Sequence, residues 1–219
     1  FIPNQPRQLA KGGRLQMMKV VGAADLSGGV KDGSTFDVKW VNIDDPTRAH
    51  SPGTKDTHGV YAQGKQQGGT TFARLEGCWA GDERIYFDST SGGKAGKGQI
   101  WEYEPGEEKL RLLFESPGGN VLDKPDNLCV SPRGVGLVLC EDGGAVPQRI
   151  HGLTIYGNLF TLAENNVQLD GEKHGIKGDF RGREWAGATF SPDGKWLFAN
   201  IQTPGITFAI TGPWSDGPL

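Results

Sequence analysis

The sequence predicts an all-β protein built as a β-propeller, and three observations point there. Its 219 residues include 35 glycines and 13 prolines against 36% hydrophobic residues, a composition suited to many short strands and turns. Long segments with the 3.6-residue period of an amphipathic helix are missing, so almost no helix is expected. A unit of acid, strand, turn and strand recurs, and its acids, Glu76, Asp126 and Glu184, stand 50 and then 58 residues apart. Repeats of roughly 40–50 residues with several short strands each mark radially arranged blades. One rim of every blade hairpin would then face the central axis, and three rims would pool their oxygens at one mouth.

The first strand is expected over Leu15–Val21, after Gly12-Gly13, and a second over Phe36–Ile43, where apolar and polar residues alternate. Between them, residues 23–34 read as a Gly/Ser/Asp-rich loop. Residues 44–70 are polar, hold His50 and His58, and are expected to form a mobile insertion or lid, as long loops in compact domains usually do. The two histidines lack a partner at metal-site spacing and read as solvated. The first unit then takes strands at Phe72–Glu76, Arg84–Asp88, Gln99–Tyr103 and Leu110–Glu115. Its crossover, Ser89–Lys94, lacks the GxxxxGK[ST] spacing and following helix of a phosphate loop and reads as a turn at the mouth.

The second unit is a hairpin, Leu128–Val130 and Leu137–Cys140 around Ser131-Pro132-Arg133-Gly134, followed by His151–Thr154 and Asn158–Ala163. His151 reads as structural, and His174, in a Gly/Lys-rich loop, carries no signal. The third unit runs from Glu184 through the turn Ser191-Pro192-Asp193-Gly194 and Trp196–Phe198 to Thr207–Ile210.

Antiparallel pairing puts the entry of one hairpin strand beside the exit of the next. Asp126-Asn127 should therefore lie beside Glu141-Asp142, Glu76 near Asp88, and Glu184 near Asn200 and Gln202. Crowded carboxylates repel unless cations or Arg share the rim. Hard cations such as calcium want six to eight oxygens, and this pattern offers them. The plain alternative is that Asp126 and Asn127 supply turn chemistry while Glu141 and Asp142 solvate a strand end.

Net charge is −3 with both signs mixed, so no basic face for nucleic acid and no polybasic membrane patch is present. No apolar run approaches the roughly 18–20 residues of a membrane-spanning segment. Cys78, Cys129 and Cys140 contain no CxxC, and buried free thiols are expected over a Cys129–Cys140 disulfide. The start, FIPNQPRQL, has no initiator Met and no signal-peptide pattern, and reads as the interior of a longer protein.

The phrases RLEGCW, FDSTSGG, GQIWEYEP, LFESPG, PDNLCVSPRG, CEDGG and EWAGATFSPDGKWLFANIQTPGITFAITGPW together resemble the PhoX family of secreted bacterial alkaline phosphatases, in its shorter branch. The resemblance implies a six-bladed propeller, of which residues 1–219 would be the C-terminal portion with about three to four blades. It also implies hydrolysis of phosphate monoesters at a polynuclear centre of Fe3+ and Ca2+, and a periplasmic or extracellular location. By this resemblance Arg74 and Glu76 match a phosphate-contacting Arg and a metal carboxylate. Asp126, Asn127, Glu141, Asp142 and Glu184 fall in the remaining metal-binding motifs. The family's N-terminal half is absent, so a missing half is an expected partner and the segment alone should be inactive. An open ring should also expose apolar faces from strands such as Ile100–Tyr103 and Trp196–Phe198. Two other readings stay open: a calcium-dependent propeller lactonase, and a non-catalytic propeller module for binding or assembly.

Overall fold

The computed structural model describes residues 1–48, 59–133, 136–214, 217 and 219. His50 and His58 lie outside the described residues. Among the described residues seventeen strands follow in order: β1 (Ile2–Pro3), β2 (Gly13–Arg14), β3 (Gln16–Val20), β4 (Thr35–Asn42), β5 (Leu75–Gly81), β6 (Arg84–Ser89), β7 (Gln99–Glu104), β8 (Lys109–Glu115), β9 (Pro125–Val130), β10 (Gly136–Glu141), β11 (Arg149–Thr154), β12 (Leu159–Glu164), β13 (Gln168–Lys173), β14 (Ile176–Asp179), β15 (Trp185–Phe190), β16 (Trp196–Ile201) and β17 (Ile206–Thr211). The sole α-helix among the described residues, α1 (Val60–Gln66), lies inside the polar insertion that reads as a loop in sequence. Gly64 lets it sit against β3, since a Cβ there would meet the Met17 sulfur at 2.3 Å.

Three antiparallel meanders form the blades of a β-propeller: β5–β8, β9–β12 and β15–β17. Their first strands, β5, β9 and β15, pack side by side and mark the inner edge. The chain reaches each next strand through tight turns. At the β5–β6 turn, Asp82 and Glu83 both take positive φ, 51° and 61°, the geometry that matches strand twist in a two-residue hairpin.

Strand β10 shows why the blades stack. All of its residues are buried, and alternate side chains serve opposite layers. Leu137 and Leu139 join Tyr86, Ile100 and Leu128 between the first and second blades. Val138 and Cys140 join Cys129, Ile150, Trp185 and Leu197 between the second and third. Both thiols are therefore free and buried, as expected.

The exposed-face expectation divides. Trp196 and Phe198 of the third blade are open to solvent, at 43% and 37%. Ile100–Tyr103 is not: Ile100 faces the second blade, and β4, which pairs with β8 and then with β3, carries a hairpin that closes over Trp101 and Tyr103. Val20, Leu26 and Val38 pack there on Trp101, Tyr103, Leu110 and Leu112, and Trp40 Nε1 donates to the Tyr103 hydroxyl at 2.9 Å. Covering a large apolar side chain is worth about 1.5–3 kcal/mol each. The short β13–β14 hairpin was not legible in sequence; His174, φ 53°, sits in its turn.

Candidate metal centre

Each inner hairpin departs from regular pairing at its acidic end. In β5–β6 the register shifts between Leu75 and Cys78, so Glu76 and Gly77 lie opposite Asp88. In β9–β10 it shifts between Cys140 and Glu141, so Asp126 is the extra residue. In β15–β16 it shifts between Ala186 and Thr189, just past Glu184. Bulges bend a strand and re-aim side chains. Here three of them turn one rim's acids toward a common place.

Asp126, Asp142 and Glu184 each offer a carboxylate oxygen, all within 4.8 Å of one another. Arg74 borders them, with Nη2 2.5 Å from Glu76 Oε1 and 3.9 Å from Asp142 Oδ2. Arg74 holds φ at 54°, an uncommon conformation for a residue with a side chain, immediately before β5. Lys124, φ 56°, holds the same place before β9, and its carbonyl accepts from the Asp142 amide at 2.9 Å. Below the rim, Asp88 is fully buried, with Oδ1 accepting from Gly77 N at 3.0 Å. Gly77 has no alternative there. A Cβ would stand 2.3 Å from Asp88 Oδ2 and 2.9 Å from Leu128 N.

The electrostatics record the crowding. Desolvation pushes the Asp88 pKa up to about 8, helped by Asp126 and Glu76 against the pull of the Gly77 amide. Desolvation, then Asp142 and Glu76, push Asp126 up to about 7, with Arg74 opposing. Desolvation, then a shared hydrogen bond with Asp142, push Glu184 up to about 7. Asp88 Oδ2 and Asp126 Oδ1 are buried with no hydrogen-bond donor. Orphaned carboxyl oxygens beside clustered acids fit hard, oxygen-seeking cations, and the donor set suits them.

Three sequence candidates sit elsewhere. Glu141, expected among the ligands, turns inward and is fully buried, bound by Arg149, His151 and the Asp123 amide. The pleat turns Glu141, the last residue of β10, inward, while Asp142, just past the strand, faces the cluster. Asn127, also expected as a ligand, accepts at its side-chain Oδ1 from Ala188 N at 2.9 Å and ties β9 to β15. Asn200 bonds within its own sheet, to Ala186 O and Thr207 Oγ1. His151, which reads as structural in sequence, is buried with Nε2 3.0 Å from Glu141 Oε1. Sequence reasoning passed over Asp88 as a site residue, although its place opposite Glu76 in a hairpin was a usable signal. Nothing in the sequence marked Arg149.

No curated protein matches the chain. Among solved structures, a periplasmic gluconolactonase of Pseudomonas aeruginosa is 14% identical with a TM-score of 0.45, covering 66% of this chain and 41% of that one. TolB from Acinetobacter baumannii is 9% identical with a TM-score of 0.45, over 82% of this chain and 35% of its own. A putative 6-phosphogluconolactonase from Bacteroides uniformis is 20% identical with a TM-score of 0.38, over 66% and 40%. The chain thus spans less than half of each of these structures. The family model described as alkaline phosphatase PhoX matches residues 1–205, nearly the whole sequence. The chain belongs to the PhoX alkaline phosphatase family.

Proposed function

We propose that the acidic rim is the metal centre of a phosphomonoesterase, completed in the whole protein. The observation that carries this is the convergence of the Asp126, Asp142 and Glu184 carboxylates, with the buried Asp126 Oδ1 lacking any donor and Arg74 at the edge. Asp126, Asp142 and Glu184 would hold a cation, and Glu76 and Asp88 would add charge from the first blade. Ca2+ and Fe3+ are the ions the family implies. When bound, such ions supply Lewis-acid polarisation of phosphoryl oxygens and ionise water near neutral pH.

The chain's own residues bind and orient. Arg74 presents a planar, permanently charged fork suited to two phosphoryl oxygens and to charge developing on them in the transition state. Its partner Glu76 holds that fork in place until an ester arrives. Gly77 N fixes Asp88, and Ala188 N fixes Asn127, so the acids rest on rigid strands.

The test is hydrolysis of p-nitrophenyl phosphate by the intact protein before and after chelation. Loss on chelation and recovery with added Ca2+ and iron are expected. Undiminished hydrolysis in chelator would refute the metal centre. Lactone hydrolysis with calcium alone and no phosphatase activity would replace the reading with a lactonase.

A further inference from the structure

Glu141 stands apart from the acidic cluster, yet the segments that carry the cluster hang on it. It is fully buried, and its two oxygens take five hydrogen bonds. Oε1 accepts from Asp123 N at 2.8 Å and Arg149 Nη2 at 2.7 Å, and pairs with His151 Nε2 at 3.0 Å. Oε2 accepts from Arg149 N at 2.9 Å and Nε at 3.0 Å. Desolvation works to raise the Glu141 pKa, but the bonds from His151 and Arg149 outweigh it and hold the carboxyl below its ordinary range.

The grip extends outward in two directions. Arg149, its side chain only 14% exposed, donates to Asn120 O at 2.9 Å and Gly119 O at 2.8 Å, clamping the loop that enters β9. Asp123, whose amide Glu141 holds, accepts from Lys97 Nζ at 2.7 Å and from Gly144 N and Ala145 N at 2.8 and 3.1 Å. The loop before Asp126 and the loop after Asp142 are thereby fastened to one buried carboxylate. An ionised group with this many charge-assisted bonds is stiff. Removing it would also strand the Arg149 charge.

We propose that Glu141 is a positioning residue: gripped by Arg149 and His151, it sets the separation of the Asp126 and Asp142 carboxylates and so the cation affinity of the site they form with Glu184. This rests on the metal-centre reading above. Supporting groups behind a ligand commonly change metal affinity about 10- to 100-fold.

The experiment is calorimetric titration of the intact metal-stripped protein with Ca2+ alone, for wild type, Glu141→Gln, Arg149→Met and the double variant. Each single substitution should weaken Ca2+ binding about tenfold or more. The double variant should be no worse than the weaker single, because both act through one network. If Arg149→Met fails to fold, Arg149→Lys, which keeps the charge and loses the fork, carries the same expectation. Wild-type affinity in the single variants, with only a lower melting temperature, would overturn the proposal. So would unchanged or tighter binding in the Arg149 variant alone, since Glu141 would then be a ligand itself. A wild type that binds no Ca2+ overturns this inference together with the metal centre, whereas unchanged variants of a binding wild type overturn this inference alone.

Discussion

Replacing Asp88 with asparagine should stabilise the metal-free protein at alkaline pH. The folded chain raises the Asp88 pKa from 3.8 to about 8, chiefly by burial. A carboxyl raised in this way costs nothing below pH 4, where folded and unfolded chains both keep its proton. As pH climbs from about 4 to 8 the unfolded chain ionises first, and stability is lost throughout that window. At about 1.4 kcal/mol per pKa unit the full cost is on the order of 5 kcal/mol. That is a large part of a domain's usual stability of roughly 5–15 kcal/mol. Asparagine keeps an oxygen for the Gly77 amide and removes the charge. Urea denaturation in chelator at pH 5 and pH 8.5 measures the effect. Wild type should lose stability between the two, and Asp88→Asn should lose several kcal/mol less, on the order set by the same linkage. Asp126 and Glu184, raised to about 7, leave a residual slope of the same sign in the variant. A variant no more stable than wild type at pH 8.5, or wild-type stability rising across this range, would refute the reasoning.

Other substitutions probe neighbouring claims. Gly77→Ala should destabilise by about 1–3 kcal/mol, the usual cost of overpacking, because its Cβ would meet Asp88 and the β9 backbone; an unchanged denaturation midpoint would contradict that close approach. Arg74→Lys should raise KM for p-nitrophenyl phosphate about tenfold, since an ammonium cannot match two phosphoryl oxygens; wild-type kinetics would make Arg74 only the partner of Glu76. Maleimide should label Cys78 in the native protein while sparing Cys129 and Cys140, whose thiols burial pushes up, Cys129 to about 12; mass spectrometry before and after unfolding reads this directly.

The blades were legible because their strands are short apolar runs between strong turn signals. Leu137–Cys140, Trp196–Phe198 and the turn Ser191-Pro192-Asp193-Gly194 all fall where expected. The cap over the first blade was not, because β3 and β4 read as ordinary strands and only tertiary contact shows which sheet they close. The helix α1 hid in a Gln/Gly-rich segment with no apolar periodicity. At the site, residue types announced an acidic rim, but direction did not. Glu141 and Asp142 are adjacent in sequence, and the pleat together with the bulge at Asp126 opposite them decides that one is buried against Arg149 and the other faces the cluster. Periodicity alone cannot place a bulge, so a run of acids overstates the ligand set.

The central claim, that Asp126, Asp142 and Glu184 hold cations on which phosphate-ester hydrolysis depends, is tested most directly by elemental analysis of the intact protein purified without chelator. Wild type and Asp142→Asn would be compared, with p-nitrophenyl phosphate turnover measured on the same samples. Calcium and iron are expected in the wild type, with a joint fall of metal content and turnover in Asp142→Asn. Full metal content with full turnover in that variant would contradict it.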